Sequence, residues 1–570
     1  MTPIYTAQTE CQDCRKCIRE CPVKAVKVAR GYASVISELC ILCGHCVAVC
    51  PHGAKKVRDD VGEAKHLLGS GKRVIASLAP SFISEFSGLR PGQLIAALKR
   101  LGFYGVSETA LGAQQVSANV SAFLKEDSGH ILFSTACPTA VEYIRKYRPE
   151  FAARLTSLLS PLLAHCKLLR SAFGQDIGVV FFGPCIAKKR EAELHPELLD
   201  VALTFGDLRR WLREAHIRPE AIHESADDGF VPEAARDGAL YPIEGGMIAG
   251  VQANCTARDA NFMAFSGVRN IDKALGGLED LHPDQNLFIE LLACEGGCVN
   301  GPSTATKSAS ALKRYQVIQY ARPAEPARAD EHVIPILEEY NPDPVPFSDY
   351  TEEEISSVLR SVSMYSPEDE LNCGGCGYDS CREFARAFLN GKAERSLCAA
   401  YMRKLAQKKA NALMRKMPAA VVIVDADLKI IECNPSFLHM FADGRATDAN
   451  PGLEGLDLEK VVPFHSLFSS VLETGTDILD RDIRHRKGIL HASIFSIEKN
   501  AVVGGILEDI TEPSVRKDQI IKRARQVIEQ NLKTVQQIAF LLGENAAESE
   551  ITLNSIVESF SPEDVEQKDD

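Results

Sequence analysis

Sixteen of the nineteen cysteines fall into four sets whose spacing suits thiolate ligation. Cys11, Cys14, Cys17 and Cys21, followed by Pro22, recur as Cys40, Cys43, Cys46 and Cys50, followed by Pro51, so the run C-x2-C-x2-C-x3-C-P stands twice. Cys373, Cys376, Cys381 and Cys398 give C-x2-C-x4-C-x16-C. The last four are dispersed over three apolar runs, which lead to Cys137, to Cys185, and to Cys294 with Cys298 four residues on. Around the final pair the chain reads Leu-Leu-Ala-Cys-Glu-Gly-Gly-Cys-Val-Asn-Gly-Pro from Leu291 to Pro302, and Gly296 and Gly297 let the backbone come close to whatever the thiolates hold. Alone, that stretch also reads as a tight turn with two buried thiols. Cys166, Cys255 and Cys433 lie outside the sets and read as buried or incidental thiols.

Composition bounds the setting of this chemistry. At 570 residues the chain is long enough for about four domains at ~150 residues each. A net charge of -13 argues against nucleic acid and anionic membrane as partners, because both select basic surface. No run approaches the ~20 apolar residues of a membrane span, and the start lacks a basic-then-apolar signal pattern. The expectation is a cytoplasmic protein, where many cysteines point to metal or redox chemistry rather than disulfides. The elements that must position the dispersed four are strands. Arg73 to Pro80, Ile131 to Pro138, Ile177 to Cys185 and Phe288 to Cys294 read as buried strands, with an amphipathic helix over Gly92 to Leu101. Open α/β sheets place their sites at such carboxyl ends of strands.

The repeated run is the ligand pattern of bacterial two-cluster ferredoxins. That resemblance implies that Cys11, Cys14, Cys17 and Cys50 hold one 4Fe-4S cluster, and Cys40, Cys43, Cys46 and Cys21 the other. Zinc is the alternative, although zinc sites rarely interleave two such runs. Ser134-Thr-Ala-Cys-Pro138, Gly183-Pro-Cys-Ile-Ala-Lys-Lys189 and Ala293-Cys-Glu-Gly-Gly-Cys298 resemble the three signature motifs of the FeFe hydrogenases. The resemblance implies an H-cluster, a 4Fe-4S cubane joined to a diiron centre with CO, cyanide and azadithiolate ligands. Cys137, Cys185, Cys294 and Cys298 would hold the cubane, and Cys298 would be the thiolate shared with the diiron unit. Lys188 corresponds to the lysine that pairs with one cyanide, and Ala79-Pro80-Ser81 to the loop contacting the other. A buried anionic ligand needs such a charge-assisted donor.

This chain also departs from that pattern. Fast hydrogenases carry a proton-passing cysteine just before the first cubane ligand, and here that position is Ala136. After Gly112-Ala113 the chain reads Gln-Gln-Val-Ser-Ala-Asn-Val-Ser-Ala-Phe, with no glutamate where the family has its relay acids. Gly183 and Leu292 stand where methionines usually flank the diiron unit. General acid–base steps commonly contribute ~10²–10⁴ in rate, so the expectation is a slow enzyme or a sensor.

Residues 321–346 are rich in proline, alanine and charge, and read as a linker or wrapping segment. After a short helix over Thr351 to Val362, the set from Cys373 to Cys398 resembles a small 4Fe-4S domain of electron-transfer proteins, with a zinc ribbon as the alternative. Cys398 reads as part of a basic helix running from Glu394 to Met417. Ala419 to Asn434 reads as a hairpin and helix entry, and with the closing Asp509-Ile510-Thr511 it resembles a PAS domain, either ligand-binding or an empty dimerisation module. Ile521, Ile528, Val535 and Leu542, with Ala524, Asn531 and Ile538, make a short heptad. It implies a coiled-coil homodimer, or else an amphipathic helix packed on the PAS domain.

The expected architecture is multidomain, α/β and α+β. It has a two-cluster ferredoxin fold (1–58), an FeFe-hydrogenase H-domain of two α/β halves (59–320), a linker (321–347), a small helical 4Fe-4S domain (348–412), a PAS domain (413–512) and a C-terminal coiled-coil helix (513–560). The expected function is a sensory hydrogenase that reacts slowly with H2, uses an electron carrier such as ferredoxin, and signals to a kinase or phosphatase. The alternative is a non-catalytic iron–sulfur redox or gas-sensing adaptor without the diiron centre.

Overall fold

The computed structural model describes residues 2–126, 129–253, 260–306, 308–321, 333–346, 348–441, 453–485, 488–510 and 526–535. Its contacts divide the chain into two units at the Cys398–Ala399 bond.

The first unit opens with two small antiparallel pairs. Strands β1 (Ile4–Thr6), β2 (Val26–Ala29), β3 (Tyr32–Val35) and β4 (Lys55–Val57) pair as β1 with β4 and β2 with β3. Each C-x2-C-x2-C-x3-C run folds the same way. A left-handed residue, Arg15 or Gly44, turns the chain into a one-turn helix, Lys16–Glu20 or His45–Val49, that carries the third cysteine.

The following region holds two parallel sheets. Strands β5 (Arg73–Leu78) and β6 (Gly105–Glu108) open the first, β7 (Ile131–Phe133) belongs to the second, and β8 (Ile177–Gly183) and β9 (Val201–Thr204) complete the first in the order β6-β5-β8-β9. Strands β10 (Ala260–Ser266) and β11 (Asn286–Leu292) complete the second in the order β10-β11-β7. All pairings in both are parallel, as expected of strands buried on both faces and linked through helices. β5, β8 and β11 are apolar almost throughout because helices cover both sides. β7 is shorter than the sequence suggests and ends at Phe133. Ser134 leaves the ladder, its N–H donating to the Ile289 carbonyl (3.0 Å) and its Oγ accepting from Leu291 N (2.9 Å).

The proline-rich stretch, where described, is a strap rather than a free linker. Leu159 N donates to the Ile336 carbonyl (2.8 Å), and Asp343 N and Val345 N donate to the carbonyls of Arg145 and Lys146 (both 3.0 Å). Helix Glu352–Ser361 starts at a capping box in which Thr351 and Glu354 exchange hydrogen bonds. Cys398 is extended and stands between a short 3-10 turn and the helix Ala399–Lys416, not inside one continuous helix.

The second unit contains that helix and an antiparallel sheet of β12 (Ala420–Val424), β13 (Ile430–Cys433), β14 (Ile478–His485), β15 (Gly488–Glu498) and β16 (Val502–Asp509), ordered β13-β12-β16-β15-β14. Helices Pro435–Phe441 and Ser466–Thr474 bury Phe437, Phe441, Phe468 and Val471 in its core. Asn434, fully buried, ties this fold to the preceding helix. Its Oδ1 accepts from Val421 N (2.8 Å) and Phe437 N (2.9 Å), and its Nδ2 donates to the Ala419 carbonyl (2.7 Å) and the Met414 carbonyl (3.2 Å). Residues 526–535 are helical and include Ile528, Asn531 and Val535 of the heptad. Ile521, Ala524, Ile538 and Leu542, like Cys255, lie outside the described residues.

Candidate iron–sulfur and hydrogen-activating site

The sixteen cysteines gather in four cages. Cys17 lies in the field of Cys11, Cys14 and Cys50, and Cys46 in that of Cys43, Cys40 and Cys21, so each run lends its fourth thiol to the other. Each of these two quartets lines a pocket of its own. Cys381 and Cys376 each face Cys398 and Cys373. Cys298 faces Cys137 and Cys185, and Cys294 faces all three.

The last cage is assembled by the strand ends. Ser134 ties the end of β7 to β11, and Ala293 N then donates to Cys137 Sγ (3.5 Å). Gly297, at φ +100°, passes so close to Pro242 that a Cβ would meet the Pro242 carbonyl and lie 2.9 Å from Ile243 Cα, so only glycine fits. The Cys185 loop joins the Cys298 loop where Ser303 N donates to the Pro184 carbonyl (3.2 Å). The loop after β5 runs beside it, with Ala79 N donating to the Phe182 carbonyl (2.9 Å).

Cys137 is buried, whereas Cys185, Cys294 and Cys298 keep some accessible area. Burial and mutual repulsion push the Cys185 thiol up to about 11 and those of Cys294 and Cys298 further up. In the ferredoxin-like cages burial likewise raises Cys17 and Cys40 to about 11 and Cys43 to about 12. Thiols so placed become thiolates only against a cationic group, which is what an iron–sulfur core provides.

The donor set fits such cores. All donors are thiols, and among the described residues no three His, Cys, Asp or Glu side chains converge at the range of a single ion. Zinc, at ~2.3 Å from each sulfur, would draw its thiolates together that closely. Backbone amides point at sulfur in three of the cages: Ala25 N to Cys21 (3.3 Å), Leu42 N to Cys40 (3.4 Å), Asn372 N to Cys381 (3.4 Å) and Ala293 N to Cys137. Such hydrogen bonds stabilise sulfur-borne negative charge.

Around the dispersed cage stand the other residues expected from the sequence. Lys188 is buried, and its charge reaches Cys185 and Cys298. Its Nζ donates to Glu191 (2.7 Å) and Ser160 Oγ (3.0 Å). Ser81, after Pro80, is buried and its Oγ has no hydrogen-bond partner, so it suits an acceptor supplied by a bound group. Ala136 is half-buried against the core. Its neighbour Thr135 donates to the Leu158 carbonyl (2.8 Å) and pairs with Thr156 (2.9 Å). On helix Ala110–Glu126, Gln114 and Gln115 clamp backbone, accepting from Arg236 N (2.8 Å) and Ile334 N (3.0 Å). Gly183 has no spare room, because a Cβ there would collide with the Phe181 ring.

Three residues carry weight that motif spacing does not signal. Lys55 is buried, donates to Thr6 Oγ1 (2.7 Å) and the Ala33 carbonyl (2.8 Å), and its charge reaches Cys17, Cys40 and Cys46, in both ferredoxin-like cages. Glu191 orients Lys188. Glu290 on β11 is buried and raised to about 7, chiefly by that burial, with backbone N–H groups such as that of Ile248 opposing the rise.

Comparison with known proteins follows the same division. The family model for the C-terminal domain of the iron-only hydrogenase large subunit matches residues 72–302. A 4Fe-4S dicluster domain matches 10–55, a putative Fe-S cluster model 369–400 and a PAS domain 409–472. The NADP-reducing hydrogenase subunit HndD of Solidesulfovibrio fructosivorans is 24% identical over 58% of this chain and 70% of its own. Iron hydrogenase 1 of Clostridium pasteurianum is 24% identical over 50% and 59%. Among solved structures, a variant of the apo [FeFe]-hydrogenase HydA1 from Chlamydomonas reinhardtii overlaps at 18% identity and a TM-score of 0.37, covering 50% of this chain and 100% of its own. Residues 72–302 thus match the C-terminal domain of the iron-only hydrogenase large subunit, in a chain whose other segments match a 4Fe-4S dicluster domain and a PAS domain.

Proposed function

We propose that the chain is a sensory FeFe hydrogenase that reacts slowly with H2 and passes its redox state through iron–sulfur cages to the PAS module. The carrying observation is Ala136. Directly before Cys137, where the family places its proton-passing thiol, stands a methyl group, and the nearby helix spends Gln114 and Gln115 on backbone clamps. Without a titratable partner the proton step loses much of the ~10²–10⁴ that general acid–base catalysis supplies. The bound H-cluster would supply the cleavage of H2 into a proton and two electrons with a second proton.

In this reading Cys137, Cys185, Cys294 and Cys298 hold that group, with Cys298 shared by its two parts. Lys188, oriented by Glu191 and Ser160, donates to an anionic ligand, and the Pro80–Ser81 loop supports another. Cys43 is an electrostatic neighbour of Cys294, so the cage of Cys21, Cys40, Cys43 and Cys46 is the first electron acceptor. Output leaves by chain continuity. Cys398 is followed directly by helix Ala399–Lys416, whose C-terminal carbonyls Asn434 grips from the PAS fold. A cytoplasmic homodimer with an electron-carrier partner and a kinase or phosphatase target completes the proposal. Among the described residues no helix is long and apolar enough to cross a membrane.

The test is infrared spectroscopy of the maturated protein. CO and cyanide bands that shift under H2 are expected, together with turnover well below that of hydrogen producers and only partial gain in Ala136→Cys. Absent bands in fully maturated protein would favour the iron–sulfur adaptor. Producer-like turnover would refute the sensory reading.

A further inference from the structure

Tyr378 has no place in the motifs, yet it occupies a singular position. It is 3% exposed, and its hydroxyl is buried with no hydrogen-bond partner. Such groups are rare in folded proteins and call for a partner that the protein chain does not itself supply. The ring is held by an edge contact to Phe384 (6.4 Å between centroids), and the phenol lies in the field of Cys376 first and Cys21 second. It therefore stands between the cage of Cys373, Cys376, Cys381 and Cys398 and the ferredoxin-like cage that includes Cys21.

The two regions are tightly docked here. Gly377, at φ +95°, runs so close to the helix Lys16–Glu20 that a Cβ would lie 2.8 Å from Ile18 Cγ2. Lys24 Nζ donates to the Gly377 carbonyl (2.8 Å). Arg15 donates to the carbonyls of Leu397 (2.8 Å) and Ser396 (3.0 Å), immediately before Cys398. Distance and packing between cages govern electron passage, and this junction is closed by the Gly377–Ile18 approach and the Lys24 and Arg15 hydrogen bonds.

We propose that Tyr378 is the bridging residue of an electron path from the Cys21 cage to the Cys376 cage, its hydroxyl donating a hydrogen bond to cluster-bound sulfur. One electron passes from the first cage to the second. The buried phenol keeps its proton and is neither oxidised nor reduced. The electron's origin in H2 rests on the function proposed above, but the junction itself does not. The path ends at Cys398, the residue that adjoins the helix leading to the PAS domain, while exposed Cys14 turns the Cys11 cage towards an outside carrier.

The experiment is a mediator-controlled redox titration of the full reconstituted chain followed by electron paramagnetic resonance. It needs no H2, so it stands or falls separately from the hydrogenase reading. Tyr378→Phe removes only the hydroxyl and is expected to make one of the two clusters' midpoint potentials more negative, because a hydrogen bond to sulfur favours the more negative reduced state. Incorporation of 3-fluorotyrosine at 378, a more acidic donor, should move the same potential the other way. Fully reduced wild-type protein should show the two clusters' signals broadened by mutual coupling. If the Phe variant loses iron, the fluorotyrosine protein decides. Unchanged potentials in the fluorotyrosine protein, or uncoupled signals in the wild type, would overturn the proposal.

Discussion

At the scale of single residues, chemistry here depends on charges and hydroxyls placed beside sulfur. Lys55 is an ammonium buried between two cages, so Lys55→Met should make both ferredoxin-type potentials more negative. Redox titration checks this, and unmoved potentials would mean that the charge is screened. Ser81 has an orphaned hydroxyl. Ser81→Ala loses no protein hydrogen bond and should leave thermal stability equal or higher, by up to about 1–3 kcal/mol, while shifting a cyanide band in the maturated protein. A lower melting temperature would show that the hydroxyl has a protein partner after all. Gly183→Met, which restores the family's residue, should destabilise by about 1–3 kcal/mol because Phe181 already fills that space. Chemical denaturation measures it.

At the scale of elements, the cage is only as well placed as the helices behind it. Lys189, the first neighbour of Lys188, turns away from the cage. It is almost wholly buried, with Nζ 2.9 Å from Asp60, 3.6 Å from Asp207 and donating to the Ala202 carbonyl (3.0 Å). It joins the start of helix Val61–Leu68 to the helix that follows Cys185. Lys189→Met should therefore cost about 3–5 kcal/mol, measured by chemical denaturation, because it removes the cation from between two buried carboxylates. Burial works to raise Asp60, but hydrogen bonds and charge from Arg58 and Lys189 outweigh it and hold the carboxyl below its ordinary value. A depressed folded pKa stabilises above the unfolded value near ~4 and is lost as pH falls through the folded one. Acid unfolding should thus steepen below about pH 4, and Asp60→Asn should lower stability at pH 7 while flattening that limb, as pH-dependent melting would record.

At the scale of the molecule, the first unit is a set of redox groups packed against one another rather than beads on a string. Tyr147 and Lys146, from the helix after Cys137, donate to the carbonyls of Leu39 (2.7 Å) and Glu38 (3.0 Å) beside Cys40. Gly44 sits in the ferredoxin-like region with φ +71°, and a Cβ there would stand 2.5 Å from Pro302 Cβ and 2.7 Å from the Ile186 side chain. Gly44→Val should loosen this junction, slow reduction of the ferredoxin-type clusters by H2 and lower stability by about 1–3 kcal/mol. Stopped-flow absorbance reads the first effect. Wild-type reduction kinetics would show that electrons take another route.

Ligand runs are local, so C-x2-C-x2-C-x3-C-P, the glycines between Cys294 and Cys298, and the apolar strands ahead of the dispersed cysteines were all legible in the order of residues. So was the change of texture into the PAS hairpin. Burial and charge environment were not, because they arise where segments far apart in the chain are pressed together. Nothing around Lys55 marks it as lying between two cages, and although the motif resemblance singles out Lys188, only packing shows that Lys188 faces Glu191 and the cage while Lys189 faces Asp60. The strap over residues 333–346 read equally well as a linker until its backbone was seen bonded to Leu159, Arg145 and Lys146. The amino-acid sequence by itself singled out the thiols whose spacing suits iron–sulfur groups and showed that Ala136 brings no proton. Tertiary structure alone decided which cage adjoins which, since the closeness of Cys43 to Cys294 and of Tyr378 to Cys21 exists only once the docked surfaces exclude water between them.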